Sequence, residues 1–65
     1  MKTGDLVCVK GMPAAPMSVR WVRTGIYSNT QQEYPISVTC TWFKADGSVA
    51  EFEFKYEQLA ILKAF

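Results

Sequence analysis

The sequence predicts an all-β domain, a small five-stranded barrel with a short helical turn before its last strand. Three observations carry this. Ile36–Tyr56 reads as two alternating runs, ISVTCTWF and VAEFEFKY, joined by a tight turn. Glycine and proline cut the chain before it into further short runs rich in valine and aromatic residues. The tail can supply a closing strand, which a barrel needs in order to remove a free edge.

The hairpin defines its own register. Gly47 suits the left-handed position that ends a three-residue loop, Ala45-Asp46-Gly47, so that Lys44 faces Ser48. Pairing then runs backward: Trp42 opposite Ala50, Cys40 opposite Phe52, Val38 opposite Phe54, Ile36 opposite Tyr56. Directly opposed residues share a face, and this one is the inner face. The outer face receives Phe43 with Val49, Thr41 with Glu51, Thr39 with Glu53 and Ser37 with Lys55. A slip of one residue would set Cys40 against Glu51 and Val38 against Glu53, so the alternation fixes the pairing.

Ahead of the hairpin, Gly4-Asp5 opens a first strand, Leu6–Lys10. Lys10 shares its parity with Cys8, and lysine rarely enters a core, so Val7 and Val9 are expected inward and Cys8 toward solvent. Gly11–Pro16, with two prolines, is a loop. Met17–Thr24 is the second strand. Strict alternation would strand Val22 among polar residues. A bulge near Arg20-Trp21 buries Met17, Val19 and Val22, turns Trp21 outward and leaves Arg23 in solvent. Gly25–Pro35 is a polar excursion between strands, with room for a partial hairpin extension at its base. The tail reads either as a short helix with Leu59, Leu62 and Phe65 on one side, or as one helical turn at Tyr56–Leu59 followed by a strand, Ala60–Lys63. Barrel closure favours the second.

Sixty-five residues hold a single domain, spanning residues 1–65. Hydrophobic residues make up 49% and charged residues 20%, the balance of an ordinary globular chain. A net charge of +1 gives no strong field toward nucleic acid or anionic lipid. No run approaches the ~20 apolar residues of a membrane helix, and no apolar signal segment precedes the first strand. Cys8 and Cys40 stand far apart in no metal-binding spacing. Small secreted domains usually carry several disulfides, so a cytoplasmic setting is expected.

GDLVCVK, PMSV, CTWF, a short turn, FEF and a final leucine together resemble the YodC-like small bacterial proteins. The resemblance rests on Gly4, Asp5, Val7, Lys10, Met17, Val19, Cys40, Trp42 and Phe43 and spans most of the chain. It implies a compact SH3-like barrel in a bacterial or phage setting, and it carries no activity with it. Two departures stand out. A Ser-Gly-Gly-Pro-like turn is replaced by the bulkier Gly-Met-Pro-Ala-Ala-Pro, and the segment Gly25–Pro35 is longer.

Chemistry is sparse. The chain has no histidine, which removes the commonest general base and metal ligand together. Neither a metal site nor a cofactor is expected. Cys40 reads as a small apolar filler, and Cys8 as an exposed thiol with nothing in sequence to activate it. Glu51 and Glu53 lie on one strand face about 6–7 Å apart, a spacing met in glycosidase pairs. A solvated sheet face shows the same pattern, which makes catalysis the weaker reading and an enzyme unexpected.

The aromatics say more. Trp42, Phe52, Phe54 and Tyr56 are expected in the core, whereas Trp21 and Phe43 point outward and Tyr27 and Tyr34 sit in the polar excursion. Arg20 and Arg23 flank Trp21. Either Trp21 and Phe43 are covered by the Gly25–Pro35 segment or Phe65, or these six residues form a contact surface. The second option makes the domain a non-enzymatic binding module for a protein or peptide partner. The alternative is a nucleic-acid-binding barrel using the same aromatics with Arg20, Arg23 and Lys10, against which the low net charge weighs.

Overall fold

The computed structural model describes residues 1–65. Five strands, β1 (Leu6–Val9), β2 (Met17–Ile26), β3 (Glu33–Phe43), β4 (Val49–Lys55) and β5 (Leu59–Lys63), form one antiparallel sheet in the order β4-β3-β2-β1-β5. A single 3-10 turn, Tyr56–Gln58, precedes β5. The domain is all-β, and no helix is long and apolar enough to cross a membrane. β5 returns to pair with β1 but no ladder joins it to β4, so the sheet stays open where the sequence predicts a closed barrel.

The β3–β4 hairpin takes the expected register over all seven pairs from Phe43↔Val49 to Ser37↔Lys55. Lys44 N–H donates to the Ser48 carbonyl at 2.8 Å, and Gly47 adopts a φ of +86°, as the three-residue loop demands. Asp46 locks the turn by accepting from Ser48 N–H (2.9 Å) and Ser48 Oγ–H (2.6 Å). In β2 the pairing skips between Val19 and Trp21, the bulge that the alternation required. Met17 and Val19 are buried there, Val22 packs against the core and Trp21 faces out.

The core is small: Val7, Met17, Val19, Val38, Cys40 and Leu59, bordered by half-buried Val22, Trp42, Phe54 and Tyr56. One buried charge ties the two ends of the chain together. Asp5 accepts from Phe65 N–H and Lys2 N–H, both at 3.0 Å. The Phe65 bond, opposed by burial and aided by Lys2, holds its carboxyl below the usual aspartate value.

Three expectations are corrected. Cys8 is buried, 3% exposed and directly opposite Ala60 on β5. Lys10 lies beyond the end of β1, in a turn closed by Met12 N–H to the Val9 carbonyl, so its exposure carries no information about the face of Cys8. The excursion Gly25–Pro35 extends the hairpin at its base, as the sequence allowed: β2 and β3 continue pairing through Thr24↔Pro35, Gly25↔Tyr34 and Ile26↔Glu33, and residues 27–32 make the connecting loop. This arm stretches the molecule to 47 × 21 × 20 Å. A second register shift, between Arg23 and Thr24, places an extra residue in β3 and brings Ile36 beside Tyr34 over Gly25, away from the core and from Tyr56. Phe52 keeps its inner-face register but is 58% exposed, because β4 is an edge with nothing packed beyond it.

Candidate functional site

The outer face of β2-β3-β4 gathers three of the predicted residues. Trp21 lies directly across from Thr39, and Thr39 from Glu53. Arg20 and Arg23 flank Trp21 along β2. Each arginine reaches over the middle strand to a carboxylate: Arg20 Nε is 3.4 Å from Glu51 Oε2, and Arg23 Nη1 is 3.9 Å from Glu53 Oε2. Glu53 also accepts a hydrogen bond from Ser37 Oγ–H. Ser37 and Thr39 are buried although they belong to the solvated face, because short hydroxyl side chains on β3 lie between long ones on β2 and β4. The exposed ion pairs add little stability, but they decide the electrostatics: the surface around Trp21 alternates in sign and is not a positive track.

Tyr27 and Tyr34 form a second cluster at the far end of the arm. Their rings are tilted at 38° with centroids 4.5 Å apart, a geometry favoured by aromatic quadrupoles. Pairing of Gly25 with Tyr34 leaves the tyrosine ring free to lie over the glycine, where any Cβ would collide with it.

Phe43 stands apart. It is 80% exposed at the opposite end of β3 from Tyr34. Nine residues separate them in the strand, roughly 30 Å at about 3.3 Å per residue. The six predicted residues therefore divide into a mid-sheet group (Arg20, Trp21, Arg23), an arm-tip pair (Tyr27, Tyr34) and Phe43.

What lies beside Phe43 is absent from the sequence reading. An open groove of about 740 Å³ runs between the Gly11–Pro16 loop and the β3–β4 turn, walled by Met12, Pro16, Met17, Trp42, Phe43 and Val49. None of its thirteen lining residues is charged. Its volume falls in the range of small-ligand and side-chain pockets. The one signal available in the sequence was the bulky, apolar segment Gly-Met-Pro-Ala-Ala-Pro, which supplies one wall.

Family models, curated proteins and solved structures give no match to this chain. Glu51 and Glu53, the pair with a glycosidase-like spacing, are each engaged by an arginine across the sheet, the arrangement of a solvated ladder. Cys8 and Cys40 are both free thiols and both buried. Burial pushes the Cys40 thiol up to about 11, the opposite of activation.

Proposed function

We propose that this chain is a non-enzymatic binding module, an SH3-like barrel opened between β4 and β5, which engages a protein or peptide partner in a bacterial cytoplasm. The strand order, a meander whose last strand returns to the first, supports the SH3-like reading. The observation that carries the choice of partner is the neutralisation of Arg20 by Glu51 and of Arg23 by Glu53 around an exposed Trp21. A phosphate backbone would have to displace two carboxylates to reach those guanidinium groups, and it would meet their negative charge. A polypeptide surface with its own mixed charges and apolar side chains fits such a face. Phe43 and the uncharged groove beside it extend the apolar contact area.

The test is a displayed library of random peptides selected on the purified domain, run beside anisotropy titrations with single-stranded DNA and RNA. Peptides whose binding is lost in Trp21→Ala or Phe43→Ala, together with weak oligonucleotide binding, are expected. Tight oligonucleotide binding with a steep salt dependence would reverse the assignment in favour of nucleic acid.

A further inference from the structure

We infer that β4 is a pairing edge for a second copy of this chain, giving a two-fold dimer in which the two β4 strands lie antiparallel. This concerns a different surface from the proposed peptide-binding face. Lys44 N–H bonds to Ser48, so alternation assigns the inward hydrogen bonds of β4 to Ala50, Phe52 and Phe54. The N–H and C=O groups of Val49, Glu51, Glu53 and Lys55 then point away from β3, toward solvent. Lys55 N–H is the exception to solvation: it donates to Gln58 Oε1 at 3.1 Å, which caps that end of the edge. The donors left open are those of Val49, Glu51 and Glu53.

The other edge is protected. β5 has five residues, and its pairing with β1 skips at Leu62, where Leu6 meets Lys63 and Val7 meets Ile61. Short length and a bulge are the usual ways of blunting an edge. β4 has neither: it runs seven residues without irregularity, presents Phe52 largely uncovered, and its edge charges, Glu51, Glu53 and Lys55, are of both signs, which a second copy can pair.

Charge selects the occupant, and charge with the number of main-chain bonds selects the register: a two-fold centred on Phe54 also sets Glu53 against Lys55, but its short overlap leaves two such bonds. A two-fold centred on Phe52 would set Glu51 against Glu53 of the second copy twice over. Centred on Glu53, it sets each Glu51 against the other copy's Lys55, on the outer face, and Phe52 against the other copy's Phe54 on the inner face. Lys55 has no carboxylate partner within its own chain; Glu51 would add it to Arg20, and Glu53, which meets its own counterpart at the axis, keeps Ser37 and Arg23. Four main-chain bonds follow: Glu53 N–H to the Glu53 carbonyl and Glu51 N–H to the Lys55 carbonyl, each in both directions. The pattern is self-complementary, as a two-fold interface must be. The contact is small, so association is concentration-dependent.

Sedimentation equilibrium and light scattering from micromolar to millimolar protein test this. A shift from 7.3 kDa to twice that mass is expected on concentration. Lys55→Glu, at an exposed position, should weaken dimerisation about tenfold or more by placing like charges opposite each other at two places. The swap Glu51→Lys with Lys55→Glu restores the attraction and should restore the dimer, with thermal melts confirming that every variant is folded. Amide exchange at Glu51 and Glu53 should slow as protein concentration rises. A monomer at every concentration, growth beyond a dimer, or a Lys55→Glu variant that dimerises like the parent each overturns the inference.

Discussion

Tyr34 lies across Gly25, so that a Cβ on the glycine would sit 2.6 Å from the tyrosine Cζ and 2.7 Å from its Oη. Glycine is there for space and not for backbone conformation, since its φ is not among the positive ones.

The consequence is a coupled pair of substitutions. Gly25→Ala forces the Tyr34 ring away and breaks its packing on Tyr27, a loss of about 1 kcal/mol. In a Tyr34→Ala background the main obstacle is gone, and what remains is the flexible end of the Ile36 side chain, 3.1 Å from the added Cβ. There, Gly25→Ala should be neutral or stabilising by roughly 0.5 kcal/mol, because alanine restricts the unfolded chain. Urea denaturation of the four proteins reads the coupling directly. Simple additivity would mean that Tyr34 does not pack on Gly25.

The central hairpin and the β2 bulge were legible in the sequence because each violates something costly if mispaired. A slipped β3–β4 register buries Glu51 and Glu53, and an unbulged β2 buries Arg23. Of the arm only a partial hairpin extension was legible, because neither of its faces is buried and alternation carries no signal there. The exposure of Phe52 was hidden for a different reason. Register assigns a residue to a face, but only the packing of distant elements decides whether that face is covered, and β5 stops at β1. Of the site, the individual exposed aromatics could be read; their separation along β3 and the groove beside Phe43 depend on the three-dimensional course of the Gly11–Pro16 loop.

Phe52 and Phe54 offer the sharpest check on the open edge. They share the inner face, with ring centroids 4.9 Å apart, yet only Phe54 also packs against Trp42 and the core. Phe54→Ala should cost about 3 kcal/mol, the low end for a phenylalanine truncation because the site is half-buried. A domain of this size has little stability to spare. Phe52→Ala should stay within about 1 kcal/mol, as expected for a largely exposed side chain. Thermal melts of both variants decide this. Equal and large losses would mean that β4 is covered in the free protein.

Both thiols should resist a water-soluble disulfide reagent in the native state and react only on denaturation, since neither reaches solvent. Cys40 adds a pH signature. Its folded value of about 11 lies above the ordinary 9.0, so above pH 9 the unfolded chain releases this proton before the folded one does. The unfolded state then binds fewer protons, and stability must fall as pH rises from about 9 toward 11. Cys40→Ala should remove that part of the alkaline slope. An identical slope in parent and variant would show that the thiolate is solvated in the fold.

Trp21 carries the functional proposal, and its position makes separate demands on stability and on binding. It is 49% exposed, pairs with Thr39 on β3 and is flanked along β2 by two ion-paired arginines. Truncation removes little buried apolar area, so Trp21→Ala should stay folded with a change of about 1 kcal/mol. For a partner seated on this face the same change should cost about 2 kcal/mol or more, because tryptophan anchors dominate interface energetics. Fluorescence separates the two effects once the half-buried Trp42 is silenced by Trp42→Phe, leaving a single reporter. Trp21 should then emit at long wavelength and be quenched freely by acrylamide in the unbound protein, and saturating partner should protect it. If the indole proves shielded before any partner is added, and Trp21→Ala unfolds the domain, Trp21 is a structural residue and the binding face loses its anchor.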